Sequence, residues 1–130
     1  MSKIHVNVWV KFNFTKELLA LCPIDREGKD ACECTPQDDF DSQVRHFYEN
    51  VFVDFKDRTG HADIQDIQFV NVEKTYLKER AAEFLFDVFV VLDDGASLES
   101  VIKKMVCEMS LDGKHAKSIK VTNWEVSDAR

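Results

Sequence analysis

The chain has 130 residues, 45% of them hydrophobic and 32% charged, with a formal net charge of −7. That length suits a single α+β domain over residues 1–130, and that balance excludes a disordered chain and a collagen-like repeat. No apolar run approaches the length of a membrane-spanning helix, and an acidic chain is a poor general phosphate binder, so neither membrane nor nucleic acid is an expected partner.

The ten Phe imply an aromatic-rich core. The start, MSKIHVNVWV, lacks the uninterrupted apolar stretch of a secretory leader. A cytoplasmic location is therefore the expectation, with the four Cys as thiols.

Residues 3–14 alternate cleanly. Ile4, Val6, Val8, Val10, Phe12 and Phe14 share one face, opposite Lys3, His5, Asn7, Trp9, Lys11 and Asn13. That is the pattern of a long half-buried strand. Thr15 is placed to cap a short helix from Lys16 to Leu21, which Pro23 ends. Residues 22–35 have no periodicity and read as a loop long enough to have structure or function of its own.

Thr35-Pro36 is a helix start, a capping hydroxyl followed by Pro in the first turn. Phe40, Val44, Phe47, Tyr48, Val51, Phe52 and Phe55 then form a helical stripe, which predicts a helix from Pro36 to Phe55. Gly60 is the expected stop. Ile64–Val72 reads as a second strand whose apolar phase slips between Ile67/Phe69 and Val70/Val72, the mark of a bulge.

Phe84–Leu92, reading FLFDVFVVL, is apolar on both faces and interrupted only by Asp87. A strand with this pattern is covered on both sides. Ser97 then caps a predicted helix to Met109, on the stripe Leu98, Val101, Ile102, Met105, Val106 and Met109, with Gly113 as its stop. Ser118–Val126 is the last strand, also with a phase shift.

The order strand, helix, strand, strand, helix, strand predicts a ferredoxin-like split βαβ fold. That plan is a four-stranded antiparallel sheet with helices on one face, here with a long loop after the first strand. Its first and third strands are central. The uncovered face of the sheet then carries Trp9, Leu85, Phe89 and Val91, or the other alternation with Phe84 and Phe86; either set is too apolar to leave in water, so a second subunit or the 15–39 loop must cover it.

The acidity is concentrated. Residues 25–41 hold seven acids, Asp38, Asp39 and Asp41 among them, against Arg26 and Lys29. Such a run is a solvated face, a dock for a basic protein partner, a phosphate mimic, or a counterpart to the chain's own basic 103–120 segment.

Cys22, Cys32 and Cys34 share the long loop, but their spacing C-x₉-C-x-C is not that of a zinc knuckle, so no metal or other cofactor is expected. Cys34 precedes a helix N-terminus, which favours a thiolate. Cys107 lies opposite the apolar stripe of its helix and reads as a partly exposed thiol. His5 points to the open face, whereas His61 and His115 read as loop residues. Asp87, a carboxylate in an apolar strand, calls for a cationic partner, and Lys11 is the nearest expected one.

The RNA-stacking signature is missing from the third strand, which has no Gly, Lys or Arg. No G-x-G-x-x-G, P-loop, G-x-S-x-G or H-E-x-x-H occurs. The sequence therefore reads first as a non-enzymatic binding or assembly module, a homodimer through Trp9, Leu85, Phe89 and Val91. Its second reading is a small-ligand protein or enzyme with His5, Asp87 and Cys34 around a pocket. Its third is an acidic inhibitor of a nucleic-acid-handling partner.

Overall fold

The computed structural model describes residues 2–24, 33–111 and 113–127, with backbone alone at 114–117. In chain order the described elements are β1 (Ser2–Asn13), α1 (Lys16–Leu19), α2 (Pro36–Asn50), β2 (Phe52–Lys56), β3 (Ala62–Tyr76), β4 (Ala81–Leu92), α3 (Leu98–Lys104), β5 (Val106–Leu111), β6 (Lys114–Lys120) and β7 (Asn123–Val126). The fold is mixed α+β. Its larger sheet has the order β3-β4-β1-β7 and its smaller one β2-β5-β6, and every pairing is antiparallel.

The ferredoxin-like plan is not matched, because the described residues build seven strands in two sheets. Three segments account for the difference. The helix expected to run to Phe55 stops at Asn50: Val51 is extended, at φ −73° and ψ 141°, and β2 follows. The helix expected to run to Met109 stops at Lys104, Met105 is extended at φ −72° and ψ 138°, and β5 follows. The expected single strand 118–126 is two, with β6 in the small sheet and β7 in the large one. The phase shift seen there in the sequence is thus the point where the chain changes sheets.

The physical reason is a shared spacing. A separation of four residues keeps two side chains on one face of a helix and also on one face of a strand. Met105 and Met109 fit both templates. The residues between them decide: Met105, Cys107, Met109 and Leu111 are all buried, a period of two. Val51-Phe52-Val53 is likewise rich in β-branched and aromatic side chains, which favour the extended state. Gly113, with φ +74°, stands between β5 and β6 rather than ending a helix.

The N-terminal half of α2 forms as the sequence implies. The Thr35 hydroxyl accepts from the Asp38 N–H at 3.1 Å, and the Asp38 carboxylate accepts from the Thr35 N–H at 3.2 Å. This capping box satisfies two otherwise orphaned donors.

The core lies between the large sheet on one side and α2 with the small sheet on the other. β1 contributes Val6, Val8, Val10 and Phe12, and β4 contributes Phe84, Phe86, Val88 and Val90, none more than 2% exposed. Phe47 of α2 meets Phe12 and Phe14 at ring separations of 5.0 and 4.9 Å, and Phe55 of β2 meets Phe86 edge-on at 5.4 Å. Each such side chain gains about 1.5–3 kcal/mol from burial. One face of Phe84–Leu92 is therefore covered by a helix and a second sheet together, not by helices alone.

β3 is an edge strand with register shifts at Gln65/Gln68, Phe69/Asn71 and Val72/Lys74. The slip read from the sequence is here, and Asp66 takes a positive φ of 52° within it. Bulges of this kind deter pairing with another chain's edge. No helix among the described residues is long and apolar enough to cross a membrane.

Candidate functional site

Three features outside the packed core carry polar or accessible chemistry: the outer face of the large sheet, a cleft between α2 and β3, and an apolar cavity beside that cleft.

The outer face is set by register. β1 and β4 pair Lys3 with Val91, His5 with Phe89, Asn7 with Asp87 and Trp9 with Leu85. Opposite residues of an antiparallel pair share a face. Trp9, Leu85, Phe89 and Val91 are all half-buried there. None of the four belongs to the core cluster or to the side chains packed against it. Their cover is a set of long polar side chains. The His5 ring stacks on Phe89 at 4.7 Å, and the Lys3 ammonium lies 4.8 Å from the same ring. Trp9 Nε1 donates to Glu73 Oε1 at 3.3 Å.

Asp87 faces His5, with Oδ2 3.6 Å from Nε2. The expected partner, Lys11, is engaged elsewhere: its Nζ lies 2.6 Å from Glu79 Oε2 and 4.4 Å from the Tyr76 ring. The hydrogen bond to Glu79 raises the Lys11 pKa above its ordinary value, against a smaller opposing effect of burial.

Cys34 stands away from this face. It lines a cleft of about 610 Å³ together with Asp38, Asp41, Arg45 and Tyr48 of α2 and Lys74 of β3. His5 and Asp87 are not among its lining residues, so the structure does not unite the three polar groups in one pocket. Asp41 Oδ1 accepts from Gln37 Nε2 at 2.7 Å and from the Thr75 hydroxyl at 3.1 Å, which ties α2 to β3. Asp39 lines a different cleft, with Lys16 and Arg80. Of the acidic loop, residues 25–32 lie outside the described residues.

The cavity has a volume of about 210 Å³. α2 supplies Phe47 and Tyr48, β3 supplies Ile67 and Phe69, and β4 supplies Phe84 and Phe86. Val51, Val53 and Met109 complete it. Its floor is fully buried, whereas Phe69 at its rim is 36% exposed and stacks on Tyr48 at 4.7 Å. The cavity is open to solvent at this rim. The cavity was not legible in the sequence because eight of its nine side chains read as core or strand, and Val53 falls off the stripe of the expected helix; only the slip at Ile67–Val72 pointed near it.

The cysteines divide by burial. Cys22 is buried, its Sγ donating to the Leu18 carbonyl at 3.6 Å. Cys107 is also buried, not partly exposed as the helical reading implied, because β5 turns it into the core. Burial, with Asp54 and Glu108 nearby, pushes its thiol pKa far up and makes it inert. Cys32 lies outside the described residues, and among the described residues no three His, Cys, Asp or Glu side chains are grouped to hold a metal ion. His115 lies in β6 rather than in a loop, while His61 is in the β2–β3 turn.

That turn is built on Asp57. Its carboxylate accepts from the Thr59 hydroxyl at 2.7 Å, and from the N–H groups of Thr59, His61 and Ala62 at 2.9–3.1 Å. Burial would raise the Asp57 pKa, but these hydrogen bonds together hold it below its ordinary value.

No family model matches the chain, and no curated protein or solved structure matches it either.

Proposed function

We propose that the chain is a non-enzymatic binding and assembly module that works as a homodimer, joined through the outer face of the large sheet. The observation behind this reading is the apolar set Trp9, Leu85, Phe89 and Val91. It runs across both central strands yet packs against no part of the core. Two-fold association brings one patch against its own copy, and such a patch must not repel itself. This face carries both signs of charge, with Lys3 and Lys11 beside Glu83 and Asp87.

The area is close to what a standard interface needs. Four strands spaced at about 4.8 Å, the central ones twelve residues long, present about 700 Å². A standard interface takes about 800 Å² from each partner. Lys3 and Lys11 cover the face with flexible stems, which can swing aside and keep their charges in water at the rim of an interface. A cytoplasmic setting belongs to this reading and is supported by the free thiols of Cys34 and Cys107.

The test is the Phe89→Asp variant. It is expected to be folded, with an unchanged circular dichroism spectrum, and to run as a monomer in light scattering where the wild type runs as a dimer. Equal masses for the two proteins would overturn the reading.

A further inference from the structure

We infer that the cavity between α2, β3 and the core is a binding site for a small neutral aromatic molecule of one or two rings. This site is separate from the sheet face and does not depend on dimerisation.

Size comes first. An apolar cavity of about 150 Å³ stays dry and holds benzene. The volume here, about 210 Å³, leaves room for one ring with a substituent or for a fused pair. It is too small for a lipid chain of ordinary length or a nucleotide, which occupy the larger pockets typical of ligand sites.

Lining chemistry narrows the class. Five of the nine lining side chains are aromatic. Phe47, Phe84 and Phe86 are at most 2% exposed and form the closed end. Aromatic rings pack against one another edge-on or offset, and the Met109 thioether sits well against a ring edge. No lining residue carries a charge, so a charged guest would lose its hydration without compensation.

Access and orientation come from Tyr48. It is the one lining residue with a hydroxyl, and it also lines the polar cleft that holds Arg45 and Lys74. Its ring lies nearly parallel to Phe69, 14° apart, at the rim. A guest with a single polar atom would turn that atom toward Tyr48 and its rings toward Phe84 and Phe86. Phe69 at the rim is exposed, so the approach past it is apolar as well.

Indole is the probe, titrated against the full chain and followed by two-dimensional NMR. Saturable shifts are expected at Val51, Val53, Ile67 and Met109, with a Kd of about 0.1–1 mM for nine heavy atoms. Val53→Phe, which fills the cavity from a half-buried wall, is expected to weaken indole at least about tenfold. Phe69→Ala removes the rim ring that stacks on Tyr48 and also meets Phe84 and Phe86, so its fold is checked first by its NMR spectrum; it is expected to weaken binding while leaving the shifts at the same residues. Shifts that never saturate, or that cluster around Phe89 and Trp9, would overturn the assignment. So would a Val53→Phe protein that is folded by its NMR spectrum and binds indole as tightly as the wild type.

Discussion

The two faces of β4 differ by one residue of register and by almost everything else. Phe84, Phe86, Val88 and Val90 are buried in the core, whereas Leu85, Phe89 and Val91 on the alternate positions are half-buried and lie outside the core cluster, with His5 and Lys3 laid over Phe89. Both rows are apolar in sequence. The comparison teaches that apolar character alone does not say which layer covers a strand. The inward row is committed to folding, and the outward row is left available for association.

The largest expected effect breaks the inward row. Phe86→Ala removes a ring that meets Phe55 at 5.4 Å and Phe69 at 5.7 Å, and should cost about 3–5 kcal/mol in denaturant unfolding. Leu85→Ala, one residue away on the other face, should cost the isolated chain under about 1.5 kcal/mol, because it is half-buried and outside the core cluster. Similar losses at the two positions would erase the distinction between the faces.

A smaller effect is expected at the β2–β3 turn, which carries the chain from the small sheet to the large one. Asp57→Ala removes an acceptor of several hydrogen bonds and should destabilise by about 1–2 kcal/mol at neutral pH. The folded-state pKa of Asp57 is lowered. Its contribution is therefore fully present above the unfolded value near pH 4, and is lost as pH falls through the folded value. The gap between wild type and variant should narrow in acid, which urea titrations at two pH values would read.

Thiol chemistry sharpens the contrast between core and surface without changing stability. Brief alkylation of the native protein followed by peptide mapping should mark Cys34 and spare Cys22 and Cys107, which are buried. Labelling of Cys107 in the folded state would contradict the orientation of β5. The smallest effect is expected from Lys11→Met: its pair with Glu79 is solvent-exposed, and such pairs contribute about 0–1 kcal/mol.

Much of the large sheet was legible in the sequence. The clean alternation of residues 3–14 and the unbroken run Phe84–Leu92 placed both central strands, and the slip at Ile67–Val72 placed the bulged edge. The small sheet was not legible. Its strands β2 and β5 each follow a helix directly, and the stripes of α2 and α3 continue into them at spacings that suit either state. Only the partner strands resolve that ambiguity, because a strand is completed by pairing with residues distant in sequence. Alternation grouped Trp9, Leu85, Phe89 and Val91 on one face but left open whether that face or the one with Phe84 and Phe86 turns outward; the burial of Phe84 and Phe86 decides it. The separation of Cys34 from His5 and Asp87 was not legible, because the course of the chain from β1 to α2 leaves no periodic signal. The cavity was hidden for a third reason: an incomplete core and a complete one use the same residues.

Analytical ultracentrifugation of the wild-type chain and of Phe89→Asp over a wide concentration range tests the central claim most directly. A wild type that moves from monomer to dimer with rising concentration, beside a folded variant that stays monomeric, is the predicted result. A wild type that remains monomeric at the highest concentration would contradict the account of the outer face.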